Sequence, residues 1–371
     1  MIKISNSKEL IHNVRVLSQL VAQTSMPILS FIKVEVTNGK MRLTATNLET
    51  TVIITVQCNS DEKKTFLVPS REFARILPFM EDKIEIEAGE NVLIKDNKTN
   101  FVLRSLDVNE YPEEPKMDVK NTIEIPSKIL YTLITSVIFN AAKDNLRPML
   151  NGINIDLKEG NINMIATDGR RLGINSRKIT NNNITQNFTI PSGTLSLLLR
   201  LINTEEENIS VSYNDTFCFF RQKHIIIIAT KLHGEYPNVS SIISTLGDKY
   251  IKINKKSVIE SLNKLSIFAD EVNNLVKWQV INNTIKMQAI NDYGKGYLSL
   301  DVENPYAQSY KVGFNYLYML EILKVISNDT INFYYKDETA PLAVKTEENP
   351  AVYIFMPIKI AGDNNEENKN E

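Results

Sequence analysis

The sequence predicts an α+β protein made of three copies of one domain in series, each pairing two helices with two short antiparallel sheets. Three observations predict it. A strand, a polar break and an amphipathic helix occur three times, as MIKISNSKELIHNVRVLSQLV, TIEIPSKILYTLITSVIFNAA and YIKINKKSVIESLNKLSIFAD, with Ile4, Ile125 and Ile253 in equivalent places. FLVPSREFARIL returns as FTIPSGTLSLLL and more faintly as YKVGFNYLYMLEIL, so that Pro69, Pro191 and Gly313 stand 122 residues apart. TATNLE, IATDGR and AINDYG set Asn47, Asp168 and Asp292 at matching points, and Glu-Tyr-Pro occurs at Glu110 to Pro112 and again at Glu235 to Pro237. The period exceeds the roughly 20–50-residue unit of a solenoid and is the size of a whole domain.

In the first copy a helix is expected from Ser7 to Val21. Leu10, Val14, Leu17 and Val21 form its core stripe, and Lys8, His12, Arg15 and Gln19 the opposite one. The strands follow as IKVEVT, MRLTAT, TVIITVQ, FLVP, KIEIEA, NVLIKD and NFVLRS, each alternating or β-branched. A second helix starts at Pro69 and Ser70, read as its cap, and presents Arg71 and Arg75 one turn apart. Linkers fall at Glu113 to Asn121 and Ser244 to Lys249, where Pro, Gly and charge cluster. The division is therefore 1–121, 122–249 and 250–361, followed by an acidic tail, 362–371, of disorder-prone composition.

With 371 residues, 43% of them hydrophobic, the chain can bury several cores. A net charge of −2 argues against a generally basic nucleic-acid coat but leaves room for a local basic surface. Cys58 and Cys218 lie in separate copies and read as packed thiols of a reducing compartment. No apolar segment follows the first lysine, and the longest aliphatic run, Ile225 to Ala229, is too short to cross a bilayer, so a cytoplasmic protein is expected. The helix stripes lean positive. The first copy offers Lys8, His12, Arg15, Arg71 and Arg75, and the second Lys128 and Arg200. The third offers Lys255, Lys256, Lys264 and Lys324, diluted by Glu260 and Glu321. Any one of these is an ordinary solvated side chain; repeated over related copies they form the footprint of a surface that tracks phosphates without reading bases.

Catalytic signals are thin. The sequence has no phosphate-binding glycine loop, no zincin helix and no paired-cysteine zinc spacing, and His12, His224 and His233 lack ligand spacing. No metal or cofactor is expected. The Asp168-Gly169-Arg170-Arg171 turn reads either as an Asp-Gly turn between strands or as an active-site turn with Asp168 as base. A nucleic-acid-processing enzyme built on Asp168 and Arg171, and a monomeric adaptor, therefore remain as alternatives.

ATDGRRL at Ala166 to Leu172, NLRPMLNGI at Asn145 to Ile153, EYP at Glu235 to Pro237 and YIFMPIKI at Tyr353 to Ile360 resemble the bacterial DNA polymerase sliding clamps, the β subunit of the replicative polymerase. The resemblance covers all but about the last ten residues. It implies a non-enzymatic processivity factor, a head-to-tail homodimer whose six domains close a ring with helices lining the hole and sheets outside. It also implies sequence-independent contact with duplex DNA. The implied partners are the clamp loader, the replicative polymerase α subunit, translesion polymerases, mismatch repair proteins and ligase, with no membrane. Carried over by residue, it adds Gln23, Arg147 and Met149 to the DNA contacts. It places a partner-peptide pocket at Leu150, Thr167, Gly169, Arg170, Arg171, Leu172, Pro237, Ile242, Pro341, Ile354, Phe355, Met356, Pro357 and Ile358, and a dimer seam at Phe101 and Leu103 against Ile267 and Phe268. A peptide ending in Leu and Phe needs such an apolar groove, with Met and Pro as adaptable walls. Three features depart from the family's pattern: Ser240 and Ser241 replace basic residues after Glu-Tyr-Pro, Ser192-Gly193 opens a helix where a basic pair is expected, and Gln23 and Met149 stand where an arginine and a tyrosine can contact DNA.

Overall fold

The computed structural model describes residues 1–4, 6–22, 26–80, 83–119, 121–144, 146–179, 184–306, 309–347 and 350–360. Gln23 and the acidic tail lie outside them. The periodicity locates the elements closely. Helix α1 is Ser7–Leu20, with Leu10, Val14 and Leu17 buried and Val21 as its C-cap. Its N-terminus is closed reciprocally: the Asn6 side-chain oxygen accepts from the Glu9 N–H, and the Asn6 amide donates to the Glu9 carboxylate. Helix α2 is Ser70–Ile76. Its cap position is Pro69, without a side-chain cap, so Ser70 is the first helical residue rather than the expected cap. The remaining helices are α3 (Ser127–Val137), α4 (Ser192–Leu201), α5 (Ser240–Ser244), α6 (Lys255–Leu265) and α7 (Tyr316–Val325), of which α6 and α7 are capped by Asn254 and Asn315.

The chain divides into two compact units, residues 1–132 with 188–233, and 133–187 with 234–371, crossing between them within α3, within strand Gln186–Pro191 and after His233. In the first unit a four-stranded antiparallel sheet runs in the order Ile2–Ile4, Ile84–Ala88, Asn91–Lys95, Asn100–Arg104. The larger sheet runs Lys64–Pro69, Phe31–Thr37, Lys40–Thr46, Thr50–Gln57, Ile225–Thr230, Phe217–Gln222, Asn208–Tyr213, Asn121–Pro126. Thr50–Gln57 of the first copy pairs directly with Ile225–Thr230 of the second, Val52 opposite Ile227. The sheets of adjacent copies thus merge where copies meet, and the pairing satisfies two rows of backbone groups that would otherwise be open edges. Helix α1 lies against α2 and α4. The linker is strapped to the large sheet: the Glu114 carboxylate accepts from the Arg42 guanidinium and from the Thr44 hydroxyl (3.1 Å), and the Asp118 carbonyl accepts from Asn214.

The second unit repeats the plan. Its large sheet includes, in order, Gly152–Lys158, Asn161–Thr167, Arg171–Lys178, Val352–Phe355, Leu342–Lys345, Thr330–Tyr335 and Lys249–Asn254, and again a copy boundary is a strand pair, Leu172 opposite Ile354. Its four-stranded sheet runs Gly294–Asp301, Thr284–Asn291, Leu275–Ile281, Tyr310–Asn315. Trp278 is the centre of the core, with the Phe314 and Phe333 rings 4.8 and 5.2 Å away, and α6 rests against α7 and strand Gly294–Asp301. The units cut across the sequence period because each merged sheet draws half of the middle copy to a neighbour.

Candidate partner groove and nucleic-acid interface

Three equivalent turns recur along the chain. Asn47 Oδ1 accepts from the N–H groups of Glu49 and Thr50, Asp168 Oδ1 from those of Arg170 and Arg171, and Asn291 Oδ1 from those of Tyr293 and Gly294. Each is an Asx turn closing a hairpin. The third counterpart is therefore Asn291, not Asp292, one residue away from the expected match. Both Glu-Tyr-Pro tyrosines dock beside such turns. The Tyr236 hydroxyl accepts from the Thr167 N–H at 3.0 Å, and the Tyr111 hydroxyl donates to the Thr44 carbonyl at 3.2 Å. Burial pushes both phenols well above the usual tyrosine range, so they stay neutral and able to donate.

In the second unit the 167–172 segment is held from several sides. Thr167 Oγ1 donates to the Arg171 carbonyl (2.5 Å) and accepts from the Gly169 N–H (3.0 Å). Arg147 Nη2 donates to the Asp168 carbonyl at 2.6 Å, and the Met356 N–H donates to the Arg170 carbonyl at 2.9 Å. Gly169 suits this place because its φ is +86°, and a Cβ there would also displace the Arg147 guanidinium, which lies 2.6 Å from its position. Beside the turn, Leu172, Ile354, Val239 and Ala343 form an apolar cluster on one sheet face. Ile242 and Met356 remain exposed at 37% and 43%, so apolar surface is left for a ligand.

Of the expected pocket residues, Leu172 and Ile354 belong to this cluster. Leu150, Thr167, Leu172 and Ile354 are buried; Pro341, Pro357 and Ile358 are half-buried; Gly169, Arg170, Pro237, Ile242 and Met356 are exposed. Two do not line it. Phe355 is fully buried in the core, its ring 5.5 Å from that of Phe314, because strand alternation turns it to the face opposite Ile354. Arg171 is 8% exposed, its guanidinium bonded to Asp168 and Glu321 and facing the Tyr318 ring at 4.6 Å. Val239 and Ala343 of the cluster, and Tyr318 beside Arg171, carry no signal of a site in the sequence, since a small strand residue, a valine before a short helix and a helical tyrosine all read as ordinary packing.

Among the helix cations, Lys8, His12, Arg15, Arg71, Arg75, Lys128, Arg200, Lys256, Lys264 and Lys324 are exposed. Lys255 is not free: its ammonium donates to the Ile326 carbonyl at 2.8 Å. Arg200 reaches Gln19 of α1. Arg147 and Met149 lie outside the α-helices, at the 3-10 turn Pro148–Asn151, with Arg147 on the Asp168 turn and Met149 against Gly234. Of the expected seam residues, Leu103 is buried at 8% and Phe101 half-buried, while Val102 between them is exposed. Ile267 is exposed, whereas the Phe268 ring is seated where Gly294 and Gly296 leave room for it. Outward apolar residues beyond those expected include Leu48, Phe79, Val102, Leu146, Val272, Tyr293 and Tyr297.

Both carboxylate oxygens of Asp168 are engaged, Oδ1 by the turn and Oδ2 by Arg171 Nε (3.0 Å). Among the described residues no group of three His, Cys, Asp or Glu side chains could hold a metal, and no helix is long and apolar enough to cross a membrane.

Comparison with known proteins matches the chain to the N-terminal, central and C-terminal domains of the DNA polymerase III beta subunit, over residues 3–115, 124–238 and 240–359. The chain is 24% identical to the beta sliding clamp of Bacillus subtilis over 360 residues, 93% of this chain and 95% of that one. It is 25% identical to the beta sliding clamp of Staphylococcus epidermidis over 354 residues, 91% and 93% of the two chains. The crystal structure of the DNA polymerase III subunit beta from Pseudomonas aeruginosa superposes with a TM-score of 0.91 at 22% identity, covering 97% of this chain and all of that one. With the three domains of one family matched in order from end to end, the chain belongs to the DNA polymerase III beta subunit family, the sliding clamps.

Proposed function

We propose that the protein acts as a DNA sliding clamp: two copies close head to tail around duplex DNA, and the groove beside the Asp168 turn tethers polymerases and other replication and repair proteins. The working domain division is 1–121, 122–249 and 250–361. The observation that carries the reading is the rule by which copies join. Strand Thr50–Gln57 pairs with the last strand of the second copy, and Arg171–Lys178 with the last strand of the third. By turn equivalence the third member of the first series is Gly294–Asp301, an outer strand of its sheet, and the last strand of the first copy, Asn100–Arg104, is likewise outer. Pairing these between chains extends the same rule. It is a heterologous contact, and it closes a ring when its rotation closes. Exposed Tyr297 and Val102 lie on the two strands concerned.

Exposed cations on the helices of all three copies support weak, salt-screened and mobile contact with phosphate, and topology supplies the retention. Tethering raises the local concentration of a polymerase at the primer end. A loader driven by ATP would open the ring, and the replicative polymerase α subunit, translesion polymerases, mismatch repair proteins and ligase would compete for the groove. The commitment of Asp168 to structure argues against the enzyme alternative. The test is retention on nicked circular DNA, loaded with a clamp loader and ATP, before and after the circle is cut. Loss on linearisation is expected; equal binding to circle and linear DNA would replace the clamp reading with ordinary phosphate contact.

A further inference from the structure

We propose that Glu321, on α7, is a positioning residue for the partner groove and acts through Arg171; the inference rests on the groove reading above. Arg171 is buried, and its guanidinium has a carboxylate on each side. Nε donates to Asp168 Oδ2 at 3.0 Å and Nη1 to the Glu321 carboxylate, with Tyr318 and Phe139 rings 4.6 and 5.8 Å from its central carbon. The backbone of the same residues carries the groove rim. The Arg171 carbonyl accepts from Thr167 Oγ1, and the Arg170 carbonyl from the N–H of Met356. Where Glu321 holds Arg171, it therefore also holds the segment from which Met356 hangs.

The first copy shows what a purely structural tie looks like at this place. Thr50 stands three residues after Asn47, as Arg171 stands three after Asp168, and it too meets a helix of the following copy. That contact is a hydroxyl pair, Thr50 Oγ1 to Thr194 Oγ1 at 2.5 Å, both residues buried. Two threonines hold turn to helix there with no charge to desolvate. An ion pair that buries one partner, as this one buries Arg171 while Glu321 stays partly exposed, is the costlier way to make such a tie. What the planar guanidinium adds is direction: donors aimed at two carboxylates, with its faces bounded by rings, fix the turn in translation and rotation. The charged version stands at the junction that carries the groove. Glu321 lies i−3 to Lys324 on the same helix, so a helix offering a cation to phosphate is linked through one side chain to the groove rim.

The experiment is a titration of wild type, Glu321→Gln, Arg171→Gln and the double variant with a fluorescent synthetic peptide ending in Leu-Phe, alongside thermal denaturation of each. Glu321→Gln is expected to weaken the peptide about tenfold, the effect of losing one charged hydrogen bond. The double variant should be no weaker than Arg171→Gln alone, because both act on one guanidinium. Affinity unchanged in folded Glu321→Gln overturns the proposal, as do additive losses, which would give Glu321 a role independent of Arg171. If Glu321→Gln does not fold, Glu321→Asp, which keeps the charge and shortens the reach, is judged by the same criteria. Failure of wild type to bind the peptide would sink the groove reading, and this inference with it. Binding by wild type with no response to Glu321 sinks the inference alone.

Discussion

Glycine 169 is the tightest point of the groove rim. Its left-handed backbone disfavours a Cβ, and the guanidinium above it must shift to admit one. Gly169→Ala should cost about 1 kcal/mol from backbone conformation, and it must also displace Arg147, whose flexible end can move. The expected outcome is a small drop in the thermal midpoint with a larger loss of peptide affinity. Glu114 makes the opposite kind of point, a charge that holds a linker. Burial alone would raise its carboxyl, but hydrogen bonding and attraction to Arg42, with help from Lys33 and Thr44, hold it below the usual range. A depressed folded value means stabilisation present above the unfolded pKa, about 4.3, and lost as pH falls through the folded one. Glu114→Gln should therefore cost about 2 kcal/mol at neutral pH, and its deficit relative to wild type should vanish in acid. Urea unfolding midpoints at pH 7 and below pH 4 check this; a deficit that persists in acid would assign the loss to packing instead. Neither residue's role was legible beforehand. Asp-Gly announced a turn, but not the guanidinium lying over it, and a glutamate in a linker looks like any solvated charge.

At the scale of elements, α1 and the strands of the first copy stood within a residue or two of their expected positions, because each has a clean period and a clear break. Legibility failed where tertiary contacts decide. Phe355 and Ile354 are adjacent in one apolar strand and were both assigned to the pocket, yet the pleat sends one to the core and the other to the groove. Arg171, by resemblance a lining cation, is instead buried between carboxylates. The copy boundaries looked like linkers, and the strand pairs that make them continuous involve residues more than a hundred positions apart, which no local period can reveal. The end of strand Val352–Phe355 gives the element-scale prediction. Met356 is exposed at the strand's end while its N–H is engaged, so its side chain is free to serve a ligand without holding the fold. Met356→Ala with Pro357→Ala should reduce affinity for a Leu-Phe peptide at least tenfold, by loss of buried apolar contact, with the dimer unchanged by sedimentation. Unchanged peptide affinity would remove these two residues from the pocket.

For the whole molecule, the proposed ring separates two properties that an adaptor or an enzyme would combine. Retention on DNA depends on closure, hence on the contact between chains, whereas peptide binding uses residues that all lie within one compact unit. Ile267 is exposed at 71%, near the strand proposed to form the seam and away from the groove cluster, so it can be altered without touching either core. Ile267→Asp places a charge where an apolar contact between chains is expected, and desolvating that charge opposes association. The dimer dissociation constant should rise at least tenfold, retention on nicked circular DNA should fall with it, and affinity for the Leu-Phe peptide should stay within twofold of wild type. Each alternative gives a different pattern. A monomeric adaptor would show no change in mass or retention. A protein held on DNA by phosphate contact alone would keep its binding to the circle and lose it instead when Arg15, Arg71 and Arg75 are neutralised. Loss of retention in step with loss of the dimer, at constant peptide affinity, is the result that requires a closed ring.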